Sequence, residues 1–211
     1  MNHIFDFFLE PYYEREIKLI VLEAIAFFFG IASVIYAKKE NILVYPTGLV
    51  ATVITVYLFW IDSLYGDMMM NFYYSVMSVY GWYNWLNIKK NKNASEQITK
   101  TNFREKIIGF SLFIVTMAVT YGVYLWAGKA IEASNYIDIF TSGVFFTAMW
   151  YMANKKLENW TLWIFADIIT VPLYAYRGWG MFSLQYLIFT VLAILGYIEW
   201  KKNLNKNLQT S

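Results

Sequence analysis

Asn71, Tyr74, Ser78 and Trp82 recur at spacings of three and four in one apolar stretch of this chain. Such spacing puts them on a single face of a helix. Trp160, Trp163, Asp167, Thr170 and Tyr174 do the same in a second stretch, and Gln185 stands in a third with Ser183 and Tyr186 beside it. The chemistry these residues offer is recognition. Asn, Gln, Ser, Thr and Tyr hydrogen-bond hydroxyls and amides. Trp and Tyr stack on a flat ring, and their faces attract a cation; a carboxylate at Asp167 adds to that attraction. The set suits a small polar aromatic ligand better than an inorganic ion. Catalysis lacks its usual means. There is no cysteine, and the one histidine is His3, so nucleophile–base pairs and metal sites would have to come from carboxylates alone. No enzyme activity, metal or cofactor is expected.

The elements that must position these residues are membrane helices. Seven apolar stretches fill the chain, at 17–37, 42–60, 66–88, 106–127, 136–153, 160–176 and 181–200. About 20 apolar residues cross a bilayer core as a helix. The composition agrees, at 59% hydrophobic, 21% aromatic and 15% charged. Backbone groups in lipid must bond within their own segment, which dictates helices, and the alternation of a membrane barrel is absent. The expected fold is an all-α integral membrane protein with seven transmembrane helices. Polar groups in a bilayer core are costly, so each demands a partner or a task.

Charge sets the direction. With the N-terminus outside, the inside loops and tail hold 13 of the 17 basic residues, leaving only Arg15, Lys18, Lys129 and Arg177 outside. Retention of Lys and Arg in the cytoplasm orients such chains, so the C-terminus is expected to be cytoplasmic. Residues 1–16 form an external segment. It lacks a basic start and carries Asp6, Glu10, Glu14 and Glu16, which excludes a signal peptide. Residues 3–9 can lie as a short amphipathic stretch on the outer surface or form a loose tail. The basic loop 89–105 is read as a linker with a fringe on anionic lipid heads, not as a nucleic-acid site. Residues 201–211 form a cytoplasmic tail.

The chain also repeats itself. Glu23 and Asp138, Gly81 and Gly196, and Trp85 and Trp200 stand at one offset; Glu40-Asn41 returns as Glu158-Asn159 at nearly the same one. Each repeat is three helices, 17–88 and 136–200, with the helix 106–127 as linker. Three helices reverse direction and a single helix restores it. The architecture is therefore 3+1+3 with two parallel repeats, an arrangement that builds transporters with the substrate between the halves.

Other roles are structural or open. Glu23 and Asp138, near the outer helix ends, read as gating or helix-stabilising residues. Asn41 and Asn159, each after a Glu, are expected to cap and orient the second and sixth helices. Pro172 should free a carbonyl and kink the sixth helix, a hinge beside Asp167. Met68, Met69 and Met70 read as adaptable packing. Asn71 and Gln185 either contact a ligand or bond helices together. Asp167 either meets the ligand or bonds a Tyr or Thr hydroxyl. Trp160 and Trp163 line a site or anchor at the interface. A rhodopsin-type receptor needs a lysine in the last helix, and 181–200 has none.

With these residues placed, the chain resembles the PnuC family of bacterial vitamin transporters, in particular the nicotinamide riboside type. The resemblance rests on Tyr80-Gly81-Trp82-Tyr83-x-Trp85, Glu158-Asn159-Trp160-x-x-Trp163 and Ser183-Leu184-x-Tyr186, in that order. It implies facilitated diffusion of nicotinamide riboside across the bacterial inner membrane, with trapping by a cytoplasmic kinase. It also implies a SWEET-like architecture and a homotrimer in the lipid. The substrate residues implied are Asn71, Tyr74, Trp160, Trp163, Asp167 and Gln185. The family has members for other vitamins, such as thiamine and riboflavin, which the same residues would suit.

Overall fold

A computed structural model describes residues 12–62, 65–90, 98–128, 132–178 and 180–210. The proposed amphipathic stretch 3–9 lies outside the described residues, as do residues 91–97 of the basic loop. Seven long helices are present among the described residues: α1 (Ile17–Lys38), α2 (Val44–Ile61), α3 (Tyr65–Lys90), α4 (Phe103–Trp126), α5 (Ala133–Ala153), α6 (Glu158–Tyr176) and α7 (Gly180–Thr210). The predicted spans match within a few residues except at α7. That helix continues past Trp200 because its polar end still packs: Leu204 is buried, and the Asn203 amide donates to Glu40 at 2.9 Å.

Among the described residues four helices are long and apolar enough to cross a membrane: α1, α2, α4 and residues 180–206 of α7. The other three, α3, α5 and α6, are more polar because their polar side chains turn inward, away from any lipid. Each helix packs against its neighbour in sequence, except that α4 touches α3 only lightly. Two further seams close the bundle, α1 on α7 and α3 on α5. Every residue from Thr141 to Met149 of α5 is buried. The α4–α5 seam is tight because it is built on small residues, which let backbones approach. A Cβ on Gly143 would stand 2.6 Å from the Phe113 ring and 2.9 Å from its carbonyl oxygen. Thr147 donates across the seam to the Gly109 carbonyl at 3.1 Å.

Several contacts recur 115 residues along the chain. Glu40 and Lys155, separated by that interval, both have φ of 51° in the turns before α2 and α6. Tyr45 lies on Gly81 and meets Trp85 edge-on, with centroids 5.2 Å apart. Trp160 lies on Gly196 and meets Trp200 edge-on at 5.5 Å. In each case only glycine leaves room, since a Cβ on Gly81 would collide with the tyrosine ring and one on Gly196 would come within 2.6 Å of the indole.

The end of the bundle where these turns lie, called here the tail end, is closed. Glu40 and Lys155 pair at 3.5 Å, and the Lys155 ammonium lies 4.7 Å over the Trp85 ring. Trp85 and Trp200 face each other at 6.4 Å, and the Trp200 indole N–H donates to the Ala37 carbonyl at 3.0 Å. Asn84 donates to the Ala153 carbonyl at 2.9 Å.

The structure corrects two sequence expectations here. Residues 98–102 of the basic loop do not float on a lipid surface. Ile98 is buried in the core, Thr99 and Lys156 form a short bridge, and the Thr101 N–H donates to Glu158 at 3.0 Å. Lys156 of the α5–α6 turn pairs with Glu105 at 2.7 Å, which ties the end of the loop to that turn. Asn159 does not cap α6. Its amide donates to the Lys156 carbonyl inside the turn, and Leu157 holds the cap position with no side-chain bond. Asn41 does serve the start of α2, where its side-chain oxygen accepts from the Leu43 N–H at 2.9 Å.

Candidate functional site

A cavity of about 200 Å³ lies in the middle of the bundle. Six helices line it and α4 contributes nothing. Asn71, Tyr74, Trp160, Trp163, Asp167 and Gln185 all stand on its wall. The helical periodicity that put Asn71, Tyr74, Ser78 and Trp82 on one face of α3 aims the first three at the cavity; Trp82, a turn further on, is exposed and off its wall.

Its aromatic wall comes from α3, α5, α6 and α7. Trp163 lies 6.0 Å from Tyr74 and 5.4 Å from Phe145, and Tyr186 lies 5.9 Å from Phe145. Tyr186 in turn stacks on Tyr174 at 5.2 Å. Trp160 differs from Trp163. It is wedged on Gly196 and Trp200 with 2% of its surface exposed, so it forms floor more than open face.

Three carboxylates reach the cavity: Asp67, Asp138 and Asp167. Asp67 carries no sequence-based expectation, because an acid in the first turn of a helix reads as a complement to the helix dipole. Its signal was available: Asp67, Asn71, Tyr74 and Ser78 share one face. Tyr174 donates to Asp67 at 2.7 Å, and Tyr124 donates to Asp138. Asp138, read from sequence as an outer gate, therefore stands on the cavity wall. Asp167 is 1% exposed, and its Oδ1 has no hydrogen-bond partner among the described residues. No lysine, arginine or histidine lines this cavity among the described residues.

The polar atoms of the wall are not all used by the protein. Asn71 donates to the Asp67 carbonyl at 2.9 Å, which engages its amide nitrogen in its own helix. Among the described residues the side chains of Ser78, Ser142 and Gln185 make no hydrogen bond, although the two serines are 3% and 2% exposed. Buried polar groups are ordinarily bonded. Unbonded donors and acceptors converging on a cavity mark a place for a polar ligand.

A second cavity of about 280 Å³ opens at the opposite, head end, between α1, α2 and α7. It shares Ala26, Thr55, Phe59, Phe182 and Gln185 with the first. The Phe59 and Phe182 rings, 5.5 Å apart, stand between the two. Glu23 is here, not on the central cavity. It accepts from Tyr12 and lies 3.9 Å from Arg15, which pairs with Asp62 at 2.8 Å. Burial and then the bond to Glu23 push the Tyr12 phenol above its ordinary range. Pro172 lies inside α6. By lacking an N–H it frees the Ile168 carbonyl, and close by Ser183 of α7 donates to the Val171 carbonyl at 2.9 Å.

A family model described as nicotinamide mononucleotide transporter matches residues 20–202. The nicotinamide riboside transporter PnuC of Neisseria mucosa is 27% identical over 192 residues, covering 86% of this chain and 72% of the relative. That of Escherichia coli is 23% identical over 201 residues, covering 85% and 84%. The riboflavin/roseoflavin transporter RibM of Streptomyces davaonensis is 25% identical over 129 residues, covering 59% and 58%. A crystal structure of the vitamin B3 transporter PnuC superposes with a TM-score of 0.70 at 25% identity, covering 88% of this chain and 82% of that one.

Proposed function

This chain belongs to the nicotinamide mononucleotide transporter family, and from that premise we propose that it carries nicotinamide riboside across the bacterial inner membrane. It is a transporter, not an enzyme. The observation that carries the substrate is the make-up of the cavity wall: three acidic side chains line it, and no basic one among the described residues does. Nicotinamide riboside is a cationic pyridinium nucleoside. Its 5′-phosphate is an anion, and acids in a low-dielectric site repel it. The aromatic wall receives the flat ring, and the unbonded amides and hydroxyls receive the carboxamide and sugar. Thiamine is also cationic and aromatic and is the nearest rival. Riboflavin, suggested by the RibM likeness, is uncharged and gains nothing from the acids.

The finer organisation belongs to the same proposal. Two parallel three-helix repeats, α1–α3 and α5–α7, flank α4 as linker. The contacts recurring at 115 residues and the absence of α4 from the cavity wall support that reading. The proposed domains are an external segment 1–16, repeats 17–88 and 136–200, the loop 89–105, the linker 106–127 and the tail 201–211. The head end faces outward and the tail end the cytoplasm, as the basic residues require. Asn71, Tyr74, Trp160, Trp163, Asp167 and Gln185 hold the substrate; Glu23, Asp138, Asn41, Asn159 and Pro172 gate or support the path. Transport is facilitated diffusion with trapping by a cytoplasmic kinase, and the family resemblance supports a homotrimer.

Calorimetry of the purified protein tests the substrate. Nicotinamide riboside should bind and its mononucleotide should not, with thiamine and riboflavin as competitors. Tighter binding of the mononucleotide, thiamine or riboflavin would refute the assignment. In liposomes, labelled substrate should equilibrate with no ion gradient; accumulation abolished by an ionophore would refute simple diffusion.

A further inference from the structure

The aromatic wall of the central cavity carries a polar band on its head side. Phe145 of α5 and Trp163 of α6 lie 5.4 Å apart and fix one level in the cavity. α5 runs from the head end to the tail end and α6 runs back. Residues before Phe145 and residues after Trp163 therefore both lie toward the head. At about 1.5 Å of rise per residue, Ser142 stands about 4.5 Å and Asp167 about 6 Å headward of the rings. Both line the cavity. Ser142 is 2% exposed, its hydroxyl has no partner among the described residues, and its oxygen is not among the fully occluded atoms. The Asp167 carboxyl also makes no hydrogen bond among the described residues; its Oδ1 is occluded and its Oδ2 is not. Nearby hydroxyls are engaged within their own helices, Thr141 on the Asp138 carbonyl at 3.1 Å and Thr170 on the Ala166 carbonyl at 2.8 Å.

A free donor and a free acceptor thus stand at nearly one level on adjacent helices, without bonding each other. Buried polar groups are ordinarily bonded. The first repeat has no such pair. The positions 115 residues before Ser142, Trp163 and Asp167 are Phe27, Gly48 and Thr52. Thr52 accepts from Ser75 at 2.8 Å and donates to the Leu49 carbonyl at 3.3 Å, so its hydroxyl is used. The indole and the donor–acceptor pair therefore occur together, on one half of the wall only. A ligand matched to them carries, on the edge of a flat ring, one group that both accepts and donates. A primary carboxamide is such a group: its carbonyl accepts from a hydroxyl and its N–H donates to a carboxyl oxygen. A carboxylate in its place has only acceptors and sets one of them against Asp167.

We propose that Ser142 is a specificity-determining residue: together with Asp167 it clamps the primary carboxamide of the ligand and so selects the amide over the corresponding acid. The proposal rests on the nicotinamide riboside reading above. The ring lies on Trp163 with its carboxamide toward the head end. Ser142 donates to the amide carbonyl, and Asp167 accepts from the amide N–H.

The test is a cycle between protein and ligand, read by calorimetry on the full chain. The ligands are nicotinamide riboside, nicotinic acid riboside and N-ribosylpyridinium, which keeps the ring, the charge and the sugar but has no carboxamide. The proteins are the parent and Ser142→Ala. A neutral hydrogen-bond partner lost from such a site weakens binding by roughly tenfold. Ser142→Ala should lose about that factor for nicotinamide riboside and almost nothing for N-ribosylpyridinium, whose retained affinity shows that the variant is folded. The parent should hold nicotinic acid riboside at least about tenfold more weakly than the amide, since its carboxylate leaves both a lost bond and a repulsion. Equal losses for the amide and N-ribosylpyridinium, no loss for the amide, or a parent that binds the acid as tightly as the amide would overturn the clamp. A parent that binds no nicotinamide riboside at all is a different outcome: it removes the function proposed above, and the clamp with it.

Discussion

Asp167→Asn is the most discriminating single change. The carboxylate is 1% exposed, lines the central cavity, and has an oxygen with no hydrogen-bond partner among the described residues. Replacing it by an amide keeps the shape and removes the charge. The pyridinium nitrogen bears no hydrogen, so the attraction is Coulombic: two unit charges about 6 Å apart at an effective dielectric constant of about 20 attract by about 3 kcal/mol, which corresponds to roughly 100-fold in Kd. The loss should appear only when the ligand is cationic. Nicotinamide riboside carries a pyridinium charge, and its dihydro form is neutral with nearly the same outline. Titration calorimetry with both ligands gives a four-way comparison. The parent should prefer the oxidised riboside, and Asp167→Asn should erase most of that preference while leaving affinity for the dihydro form nearly intact. If both proteins show the same ratio between the two ligands, the charge of Asp167 takes no part in recognition. Asp67 and Asp138, each bonded to a tyrosine, would then have to supply the selectivity alone.

Trp163→Ala should weaken binding by about tenfold, through lost stacking and cation–π attraction, whereas Trp126→Ala on the 79% exposed face of α4 should leave Kd unchanged; equal effects in calorimetry would place the ring elsewhere. Gln185→Leu, at a side chain with no bond among the described residues and shared by both cavities, should cost binding roughly tenfold while leaving the melting midpoint near the parental value. A large fall in melting point with unchanged Kd would make it a helix-bonding residue instead. Gly143→Ala should destabilise the fold by about 1–3 kcal/mol, since its Cβ would overlap Phe113; a melting point equal to the parent would contradict the tight α4–α5 seam. The natural chain has no cysteine, so a cysteine at Ala37, now 2% exposed, reports opening of the tail end. Lys155→Met should speed its labelling and leave Kd within about twofold, because the Glu40–Lys155 pair lies at the tail end and off the wall of the central cavity; unchanged labelling would remove the pair from the closure.

The sequence by itself determined the seven long helices found among the described residues, their approximate ends apart from that of α7, and which residues share a face of each. A helix needs only its own hydrogen bonds in an apolar solvent, so its existence and its polar stripe are local properties. That is why Asn71, Tyr74, Trp163, Asp167 and Gln185 could be picked out before any packing was known. Which stripe meets which is not local. Asp67 became part of the cavity only because Tyr174, 107 residues away, reaches it across the α3–α6 gap. Trp160 and Trp163 are three residues apart and read alike in sequence; Gly196 takes one into the floor and leaves the other on the wall. The basic loop looked solvated because its charges are contiguous in sequence, while Ile98 and the turn at Lys156 gave it a buried dock that only their meeting creates. The close approach of α1 to α2 at Gly48 exists only because Ser33 of the first helix meets the glycine of the second. A cavity is the space left when several helices have chosen their angles and separations, and those are set by ridges, grooves and small residues on all of them at once.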